Sequence, residues 1–342
     1  MNVAENVSLA PHSTMRLGGL ARYLANVGNE TELQELVVWA KSQTLPIIMI
    51  GRGSNIIWRD EGFNGLVLVN KIMGRKVLSE DSHTANIKIY GGENWDNVVD
   101  WTVGKKLSGI EYMSLVPGTV GAAPVQNVGA YGGELSDSLV ELEAFDMTLN
   151  SFVKLQNHDC SFGYRTSRFK TTDKGRFLIT SVSLALKKIG PLPPFYDSLQ
   201  TYLDKNGIHK YTPKSIRQAV IAIRQSKLPD PEKVANNGSF FTNPVISQAQ
   251  FLSLSQKYPD IKGWPFKQGQ MKLAAGWLVE KAGFKGVRDE QTGMATWPYQ
   301  ALVLVNEHAR STADLLEFRQ KIIFKVDELF DIVLQQEPEL LP

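Results

Sequence analysis

Two glycine-rich segments constrain this chain more than any other feature of its sequence. The first, residues 51–55, directly follows a short apolar strand predicted at Ile47–Ile50. The second, residues 117–133, holds five glycines and three alanines. Residues this small fill a core poorly, but they let the backbone lie close to a flat or extended ligand and point its N–H groups at an anion. The two segments together therefore predict a site for an extended, phosphate-bearing ligand.

The first segment differs from a Rossmann dinucleotide-binding turn. That fingerprint requires a third glycine for close packing of a helix on the strand, and Ile56 occupies the position. Residues 59–65 also resemble a loop rather than the start of a helix. Considered by itself, the segment is equally compatible with a tight turn between a strand and a loop.

Hydrophobic spacing predicts alternating helices and strands first and a strand-rich region later. Asn29 and Asn94 each occupy the N-cap position of a predicted helix. Further predicted strands cover residues 66–70, 86–90, 139–149, 178–186, 301–305 and 331–334. Further predicted helices cover residues 215–225, 271–282 and a long segment that begins at Ser311 or Thr312.

Composition limits the classes of protein that this chain can belong to. Its 342 residues suffice for two or three domains, and its net charge of +2 gives no general attraction to nucleic acid. The single cysteine, Cys160, excludes an internal disulfide framework, and the histidines lack metal-ligand spacing. The sequence shows no signal peptide and no membrane-spanning stretch. We therefore expect a cytoplasmic protein with no metal, no membrane insertion and no obligate protein partner.

Three residues stand out as chemically useful. Arg165 lies among aromatic residues and could pair with a carboxylate, although a surface arginine stacked on Tyr164 is the commoner arrangement. Ser239 lies in a turn between a glycine and two phenylalanines, a pattern that differs from the nucleophile elbow of a hydrolase. It could donate a proton if a neighbour raised its acidity, although a serine that caps the turn is the commoner arrangement. Glu337, near the end of a predicted strand, carries little meaning alone.

The order of motifs resembles one family, the UDP-N-acetylenolpyruvoylglucosamine reductases of bacterial peptidoglycan synthesis. Gly-x-Gly-Ser-Asn at 51–55, Gly-Glu-Asn-Trp at 92–95 and Pro-Gly-Thr-Val-Gly at 117–121 begin the match. Pro-x-Gln-Asn-x-Gly-Ala-Tyr-Gly at 124–132, Phe-Gly-Tyr-Arg at 162–165 and Lys-Leu-Pro-Asp-Pro at 227–231 continue it. Gly-Ser-Phe-Phe-x-Asn-Pro at 238–244, Lys-Leu-Ala-Ala-Gly-Trp-Leu at 272–278 and Glu-Pro-Glu at 337–339 complete it. Each motif is weak alone, but the ordered set is specific.

The resemblance implies an α+β protein with a FAD-binding fold of the vanillyl-alcohol-oxidase (PCMH) type, followed by a C-terminal α/β substrate-binding domain. We expect FAD-binding subdomains at residues 1–70 and 71–222, with the PCMH-type region at about 17–189, and a substrate domain with a catalytic tail at 223–342. Tyr196 in the segment 192–213 indicates the subtype in which a tyrosine closes over the substrate.

The resemblance also implies the reaction. NADPH would reduce FAD, and flavin N5 would then give hydride to C3 of the enolpyruvyl group of a UDP-sugar. By the resemblance Ser239 gives the proton to C2, and Arg165 and Glu337 assist around the carboxylate. The substrate-binding candidates are Tyr196, Arg224, Lys227, Asn243 and Gln300. The cofactor-binding candidates are Gly51, Gly53, Ser54, Asn55, Ile56, Pro117, Gly118, Gly121, Ala122, Ala123, Gln126, Asn127, Gly129 and Tyr131.

Three departures and two alternatives accompany this interpretation. Arg52 adds a charge to the first loop, Ala122 and Ala123 replace serines of some relatives, and only five residues follow Glu337. An FAD-linked oxidase of the same fold would share the glycine-rich segments without the motif around Ser239. A catalytically silent flavin- or nucleotide-binding protein is the other alternative, against which the presence of Arg165, Ser239 and Glu337 together argues.

Overall fold

The structure, a computed structural model, describes residues 2–342 and divides into two compact units. The first unit comprises residues 2–7, 21–52 and 63–225, and the second comprises residues 8–20, 53–62 and 226–342. The expected domain limits, 1–70, 71–222 and 223–342, stay a prediction. They divide the chain by the ligand that each part is expected to bind, whereas the two units are defined by compact packing. None of the helices in residues 2–342 has both the length and the apolar character needed to cross a bilayer.

The regular elements mix strands and helices along the whole chain, as predicted. The first seven strands are β1 Ala4–Ser8, β2 Leu20–Val27, β3 Ile47–Ile50, β4 Ile56–Trp58, β5 Phe63–Asn70, β6 Arg75–Glu80 and β7 Thr84–Tyr90. The next seven are β8 Gly129–Ala130, β9 Gly133–Glu134, β10 Leu139–Asp146, β11 Ser151–Gln156, β12 Phe177–Lys187, β13 Ala235–Ser239 and β14 Val245–Ser247. The last six are β15 Gly263–Pro265, β16 Gln270–Leu273, β17 Arg288–Asp289, β18 Met294–Trp297, β19 Gln300–Asn306 and β20 Glu339–Leu341. The helices are α1 Glu30–Ser42, α2 Trp95–Gly104, α3 Asp197–Lys205, α4 Pro213–Lys227, α5 Gln248–Lys257, α6 Ala275–Lys281 and α7 Thr312–Phe330.

The first unit contains a four-stranded sheet in the order β1-β2-β5-β3, in which β2 and β3 pair with β5 in parallel. Helix α1 covers it with an apolar face that includes Leu33, Leu36 and Val37. The Asn29 side chain accepts a hydrogen bond from the Glu32 N–H at 2.9 Å, so the predicted N-cap is confirmed.

A five-stranded antiparallel sheet, in the order β11-β10-β12-β7-β6, forms the rest of the core of the first unit together with α2. The predicted strand 139–149 ends early, at Asp146. Its carboxylate accepts hydrogen bonds from the Thr148 and Leu149 N–H groups and forms an ion pair with Arg176, which turns the chain out of the sheet.

The second unit contains a four-stranded sheet in the order β13-β19-β18-β17 and a three-stranded sheet in the order β14-β16-β15. Helices α6 and α7 bury one face each in the same apolar core, through residues such as Leu278, Phe318 and Ile322. The predicted cap at Ser311 is confirmed, because its side chain accepts from the Asp314 N–H and Asp314 accepts in return from the Ser311 N–H.

Two predictions in this unit differ from the structure. The helix predicted at 271–282 is confirmed from Ala275 to Lys281 as α6, but its first residues belong to β16, which pairs with both β14 and β15. The strand expected at 331–334 is absent: Asp331 ends α7 with φ of 54°, and the residues after it run without strand pairing up to Gln336. The last strand is β20, which lies after Glu337 and pairs in parallel with β4.

Candidate functional site

A cavity of about 420 Å³ opens in the first unit beside the glycine-rich segment that follows β3. Gly51, Arg52, Asn70, Lys71, Met73, Gly92, Asn94 and Thr119 line it. The volume lies within the range of small-molecule and cofactor sites. Arg52 and Lys71 give its wall two positive charges, so the cavity suits an anionic ligand.

Glycine is required at position 51 because of the neighbouring Thr119. A Cβ added at Gly51 would lie 2.0 Å from Thr119 Oγ1 and 3.1 Å from Thr119 Cβ. Thr119 Oγ1 is itself buried and has no hydrogen-bond partner within residues 2–342. A narrow wall of glycine beside an unsatisfied hydroxyl is the arrangement expected where a polar ligand approaches the backbone. The cavity therefore fits a diphosphate-bearing cofactor.

The second glycine-rich segment packs against the turn after β7. The Gly121 N–H donates to the Gly91 carbonyl at 2.9 Å, and a Cβ at Gly121 would lie 3.0 Å from Gly91 Cα. Residues Val120–Gln126 form a 3₁₀ helix that ends at Asn127, whose φ is 48°. Ala123 on this helix is buried in the core, whereas Ala122 is exposed.

The Asn127 side chain forms its hydrogen bonds within the protein. Its Nδ2 donates to Glu134 Oε2 at 2.8 Å, and its Oδ1 accepts from the Ser136 N–H at 3.0 Å. The amide therefore holds the shape of the segment, and contact of Asn127 with a cofactor stays a prediction.

Of the residues that line the cavity, only Gly51 was a predicted cofactor contact, and Arg52 was noted only as an added charge. The other six are Asn70, Lys71, Met73, Gly92, Asn94 and Thr119. Asn70 is buried at the end of β5, where its Nδ2 donates to the Ile179 carbonyl at 3.0 Å and its Oδ1 accepts from the Ile72 N–H at 3.1 Å. A polar residue at the end of an otherwise apolar strand was the signal that could have identified it.

Arg165 and Arg224 form a region of concentrated positive charge in the first unit. Arg165 adopts a left-handed backbone with φ of 54°, stacks on the Tyr164 ring at 5.5 Å and donates from Nη2 to the Gly129 carbonyl at 2.9 Å. Burial lowers the pKa of Arg224, and the charge of Arg165 lowers it further, against the opposite effects of Tyr131 and Asp96. Arg224 Nε is buried without a partner among residues 2–342. Two nearby guanidinium groups, one incompletely bonded, favour an anionic ligand.

Tyr196 lies against this region. It is exposed, occupies the N-cap position of α3 and packs edge-on against Tyr131, with 6.1 Å between the ring centroids. Burial raises the pKa of Tyr131, so its hydroxyl stays a neutral hydrogen-bonding group.

In the second unit Ser239 is the last residue of β13 and is exposed. Gly238 before it has φ of 70°, and its N–H donates to Asn236 Oδ1 at 2.8 Å. A residue with a side chain would be strained in this conformation. The turn expected around Ser239 is instead the end of β13, where the register with β19 shifts between Asn236 and Ser239. We call this end of the strand the Ser239 turn; it leaves the serine exposed, where a reacting group could meet it.

Backbone pairing places Glu337 beside the same turn. Its N–H donates to the Phe240 carbonyl at 2.9 Å, and Gln336 forms an isolated bridge with Phe241. On the other side, the Glu339 N–H donates to the Asn55 carbonyl at 2.9 Å at the start of the pairing between β20 and β4. The segment around Ser239 and the segment around Glu337 therefore run together.

Asn237, which sequence reasoning also missed, connects the serine turn to the glycine-rich segment. Its Nδ2 lies 3.0 Å from Thr14 Oγ1, 3.2 Å from the Ser54 carbonyl and 3.3 Å from the Ile56 carbonyl. Its Oδ1 is buried with no hydrogen-bond partner in the described part of the chain. The residues 53–56 and 237–239 are thus fixed as one piece of structure.

Position 53 also requires glycine, because a side chain there would clash with neighbouring backbone. Its φ is 70°, and a Cβ there would lie 2.0 Å from the His12 carbonyl oxygen. The Gly53 carbonyl accepts from the Thr14 N–H at 3.1 Å. The backbone at Ser54 and Asn55 is therefore held in one conformation by contacts within the second unit.

Asn243 and Gln300, two of the predicted substrate contacts, meet at the start of α6. Asn243 Oδ1 accepts from the Ala275 N–H at 3.0 Å, and a Cβ on Gly276 would lie 2.9 Å from Gln300 Oε1. Lys227 is exposed at the end of α4. The roles of these three residues stay predictions.

Cys160 and the histidines contribute no site. Cys160 is buried in the core of the first unit, and burial raises the pKa of its thiol to about 12. Within residues 2–342 no group of histidine, cysteine, aspartate or glutamate residues is arranged to hold a metal ion.

Comparison with known proteins links both units to described families. Residues 21–148 match the model of an FAD binding domain, and residues 230–341 match the C-terminal domain of UDP-N-acetylenolpyruvoylglucosamine reductase. The chain is similar to the protein named UDP-N-acetylenolpyruvoylglucosamine reductase in Paraburkholderia xenovorans, with 40% identity over 97% of this chain and 96% of that protein. Similarity to the protein of the same name in Pseudomonas aeruginosa is 38%, over 99% of both chains.

A solved structure supports the fold independently of sequence. The crystal structure of the reductase from Thermus caldophilus matches with a TM-score of 0.69 over 100% of both chains, at 23% identity. Together with the match to the FAD binding domain, this confirms the predicted α+β fold of an FAD-binding part and a C-terminal substrate domain.

Proposed function

We infer the activity of this chain from its membership of the UDP-N-acetylenolpyruvoylglucosamine reductase family, to which it belongs over nearly its whole length. It is an FAD-containing, NADPH-dependent oxidoreductase that acts on a CH–CH group. It reduces UDP-N-acetylglucosamine enolpyruvate to UDP-N-acetylmuramate in peptidoglycan synthesis. The single observation that carries the assignment of roles is the backbone pairing that joins the Ser239 turn to Glu337.

FAD is held, in this proposal, by backbone N–H groups and small polar side chains. The cavity beside Gly51 and Thr119 would hold the diphosphate, since its wall lacks bulk and carries Arg52 and Lys71. The cofactor-binding candidates in segments 53–56 and 117–131 stay part of this proposal. When bound, FAD would supply the hydride chemistry, with NADPH as the reductant and C3 of the enolpyruvyl group as the acceptor.

The protein supplies electrostatic stabilisation and a proton. Addition of hydride at C3 develops negative charge at C2 and on the adjacent carboxylate, which is the charge that a fixed cation stabilises best. Arg165 carries this role in the proposal, because its guanidinium is half buried and held by the Gly129 carbonyl.

Ser239 gives the proton to C2, and Glu337 assists. An alcohol is too weak an acid to protonate carbon without help, so a charged neighbour is physically required. The pairing of residues 240–242 with 335–337 supplies such a neighbour from within the same unit. Tyr196, Arg224, Lys227, Asn243 and Gln300 bind the UDP-sugar in this proposal. We also propose a cytoplasmic location with no nucleic-acid or obligate protein partner.

The test separates the two half-reactions of the Ser239→Ala variant. Reduction of bound flavin by NADPH should keep its rate, whereas reoxidation by the enolpyruvyl sugar nucleotide should slow by about 10²–10⁴-fold, the contribution of a general acid. Stopped-flow absorbance of the flavin measures both steps, and Ser253→Ala on the exposed surface of α5 is the matched control.

Two results would contradict this scheme. Equal slowing of both half-reactions would make Ser239 structural. A wild-type protein that consumes NADPH only with oxygen and ignores the sugar nucleotide would instead be an oxidase.

A further inference from the structure

Arg319 on α7 is half buried, and its guanidinium has few hydrogen-bond partners in the described part of the chain. Within residues 2–342 its guanidinium makes one hydrogen bond, from Nη1 to Gln336 Oε1 at 2.9 Å, and its Nε is buried without a partner. Burial lowers the pKa of Arg319, and the charge of Arg59 lowers it further. Replacing such a cation with an apolar side chain is often neutral or stabilising, so stability alone does not account for it.

The partner of Arg319 is the residue directly before Glu337. Gln336 accepts from Arg319 through Oε1 and donates through Nε2 to the Pro338 carbonyl at 2.7 Å. The two ends of one amide side chain therefore connect α7 to the residue that follows Glu337. Both neighbours of Glu337 in the chain are fixed by this contact.

Proline at position 338 explains why a side-chain contact is needed there. The Glu337 and Glu339 N–H groups anchor the backbone on either side, to the Phe240 and Asn55 carbonyls. Pro338 has no N–H to donate, so its carbonyl is the group available to hold the peptide between those anchors. Gln336 Nε2 donates to this carbonyl.

We propose that Arg319 is a positioning residue for the reduction of the enolpyruvyl substrate, acting through Gln336 to hold Glu337 at the Ser239 turn. The proposal rests on the role of Glu337 proposed above. Successive side chains of an extended segment point to opposite sides, so Gln336 can contact α7 while Glu337 points away from it.

The first test uses Arg319→Met and Gln336→Glu. Glutamate at 336 keeps an acceptor for Arg319 but loses the donor to the Pro338 carbonyl. The variant therefore removes the second hydrogen bond of the Gln336 side chain and keeps the first. Reoxidation of flavin by the enolpyruvyl substrate should slow by up to about 100-fold in both variants, as expected when a reacting group moves by about 1 Å. Flavin content and reduction by NADPH should not change, and Lys325→Met is the control for loss of a charge from α7. A Gln336→Glu protein with the full rate would overturn the proposal.

A double-mutant cycle with Glu337→Gln tests whether Arg319 acts through Glu337. Adding Arg319→Met to Glu337→Gln should slow reoxidation little beyond the single Glu337 change, because the group being positioned is already lost. Effects that multiply would refute the inference. If Glu337→Gln alone reoxidises normally, the proposed role of Glu337 fails and the positioning role fails with it. If Glu337→Gln is slow and the Arg319 variants are normal, the present inference alone fails.

Hydrogen exchange provides a readout that does not depend on activity. Removing the Arg319 guanidinium should increase amide exchange in peptides covering residues 336–341 and leave the β18 and β19 peptides unchanged. Unchanged protection at 336–341 would show that Arg319 does not hold the tail.

Discussion

Gly51→Ala tests whether the cavity beside Gly51 and Thr119 in the first unit holds the cofactor. The added methyl group would lie 2.0 Å from Thr119 Oγ1, 3.1 Å from its Cβ and 3.3 Å from its Cγ2. Gly51 does not have a positive φ, so backbone strain is not the cause of the effect. The Thr119 side chain must move by more than 1 Å or the segment 51–55 must shift into the cavity.

The size of the effect follows from this contact. Overpacking a well-filled site costs about 1–3 kcal/mol. If the wall moves into the space that the ligand occupies, this cost reduces FAD affinity by about 5- to 150-fold, at 1.4 kcal/mol per factor of ten. Thr119→Ala in the same chain removes the two side-chain atoms at 2.0 and 3.3 Å and leaves the Cβ contact at 3.1 Å, so we expect partial recovery of binding.

The assay is titration of flavin-free protein with FAD, followed by flavin fluorescence, together with thermal unfolding of the same samples. Gly104→Ala is the control, since a Cβ there would meet no atom within 4 Å and Gly104 ends α2 on the exposed surface. We expect it to bind FAD normally and to be as stable as the wild type or slightly more stable. Unchanged FAD affinity in Gly51→Ala, or no recovery in the double variant, would refute the packing argument.

Two further predictions concern buried polar groups. Asn237→Asp should destabilise the fold by about 3–5 kcal/mol, because a buried carboxylate would replace the N–H donor that now faces Thr14 Oγ1 and two backbone carbonyls. Urea unfolding measures the loss of stability, with the exposed Asn64→Asp variant as the control. Equal stability of the two variants would contradict the prediction. Cys160 should resist thiol reagents in the folded protein at pH 8 and react once unfolded in urea, since burial raises the pKa of its thiol to about 12. The neutral thiol favours the folded state, so its contribution to stability should be present below about pH 9 and be lost as the pH rises toward 12; labelling of the folded protein at pH 8 would argue against this.

The sequence predicted best the elements whose signals are local. The helices after Asn29, Asn94 and Ser311 begin where their caps predict, because the capping residue and its N–H partner lie three positions apart. The strands Ile47–Ile50 and Thr84–Tyr90 follow their apolar patterns for the same reason. Such elements need no knowledge of distant partners.

The two differences in the second unit, the late start of α6 and the absent strand at 331–334, have the opposite cause. The apolar spacing of residues 271–282 fits a helix, and only the pairing of Gln270–Leu273 with two other strands makes its first part extended. Residues 332 and 334 alternate as a strand would, but their buried side chains enter the core without strand pairing. Pairing partners far away in sequence decided both cases, and propensity could not supply them.

In the candidate site, too, local motifs were predictable from the sequence and contacts between distant residues were not. Motif order identified the candidates Ser239 and Glu337, but the pairing that joins their segments depends on residues 336 and 241, which are more than a quarter of the chain apart in sequence. Asn237, Gln336 and Arg319 act through neighbours that only the folded chain brings near. No spacing rule connects them.

Buried asparagine side chains explain how glycine-rich segments can form a defined site. Glycine gives the backbone freedom that a binding site must then remove. Asn70, Asn127 and Asn237 are 4%, 1% and 5% exposed, and each hydrogen-bonds to backbone. Asn127 accepts from the Ser136 N–H after the second glycine-rich segment, and Asn237 donates to the Ser54 carbonyl in the first. Asn70 accepts from the N–H of Ile72, which lies between the cavity residues Lys71 and Met73. An amide can donate and accept without bringing in a charge, so it suits a place where its neighbours are peptide groups. The small residues thus make room for the ligand, while the asparagines fix the shape of that room before any ligand arrives.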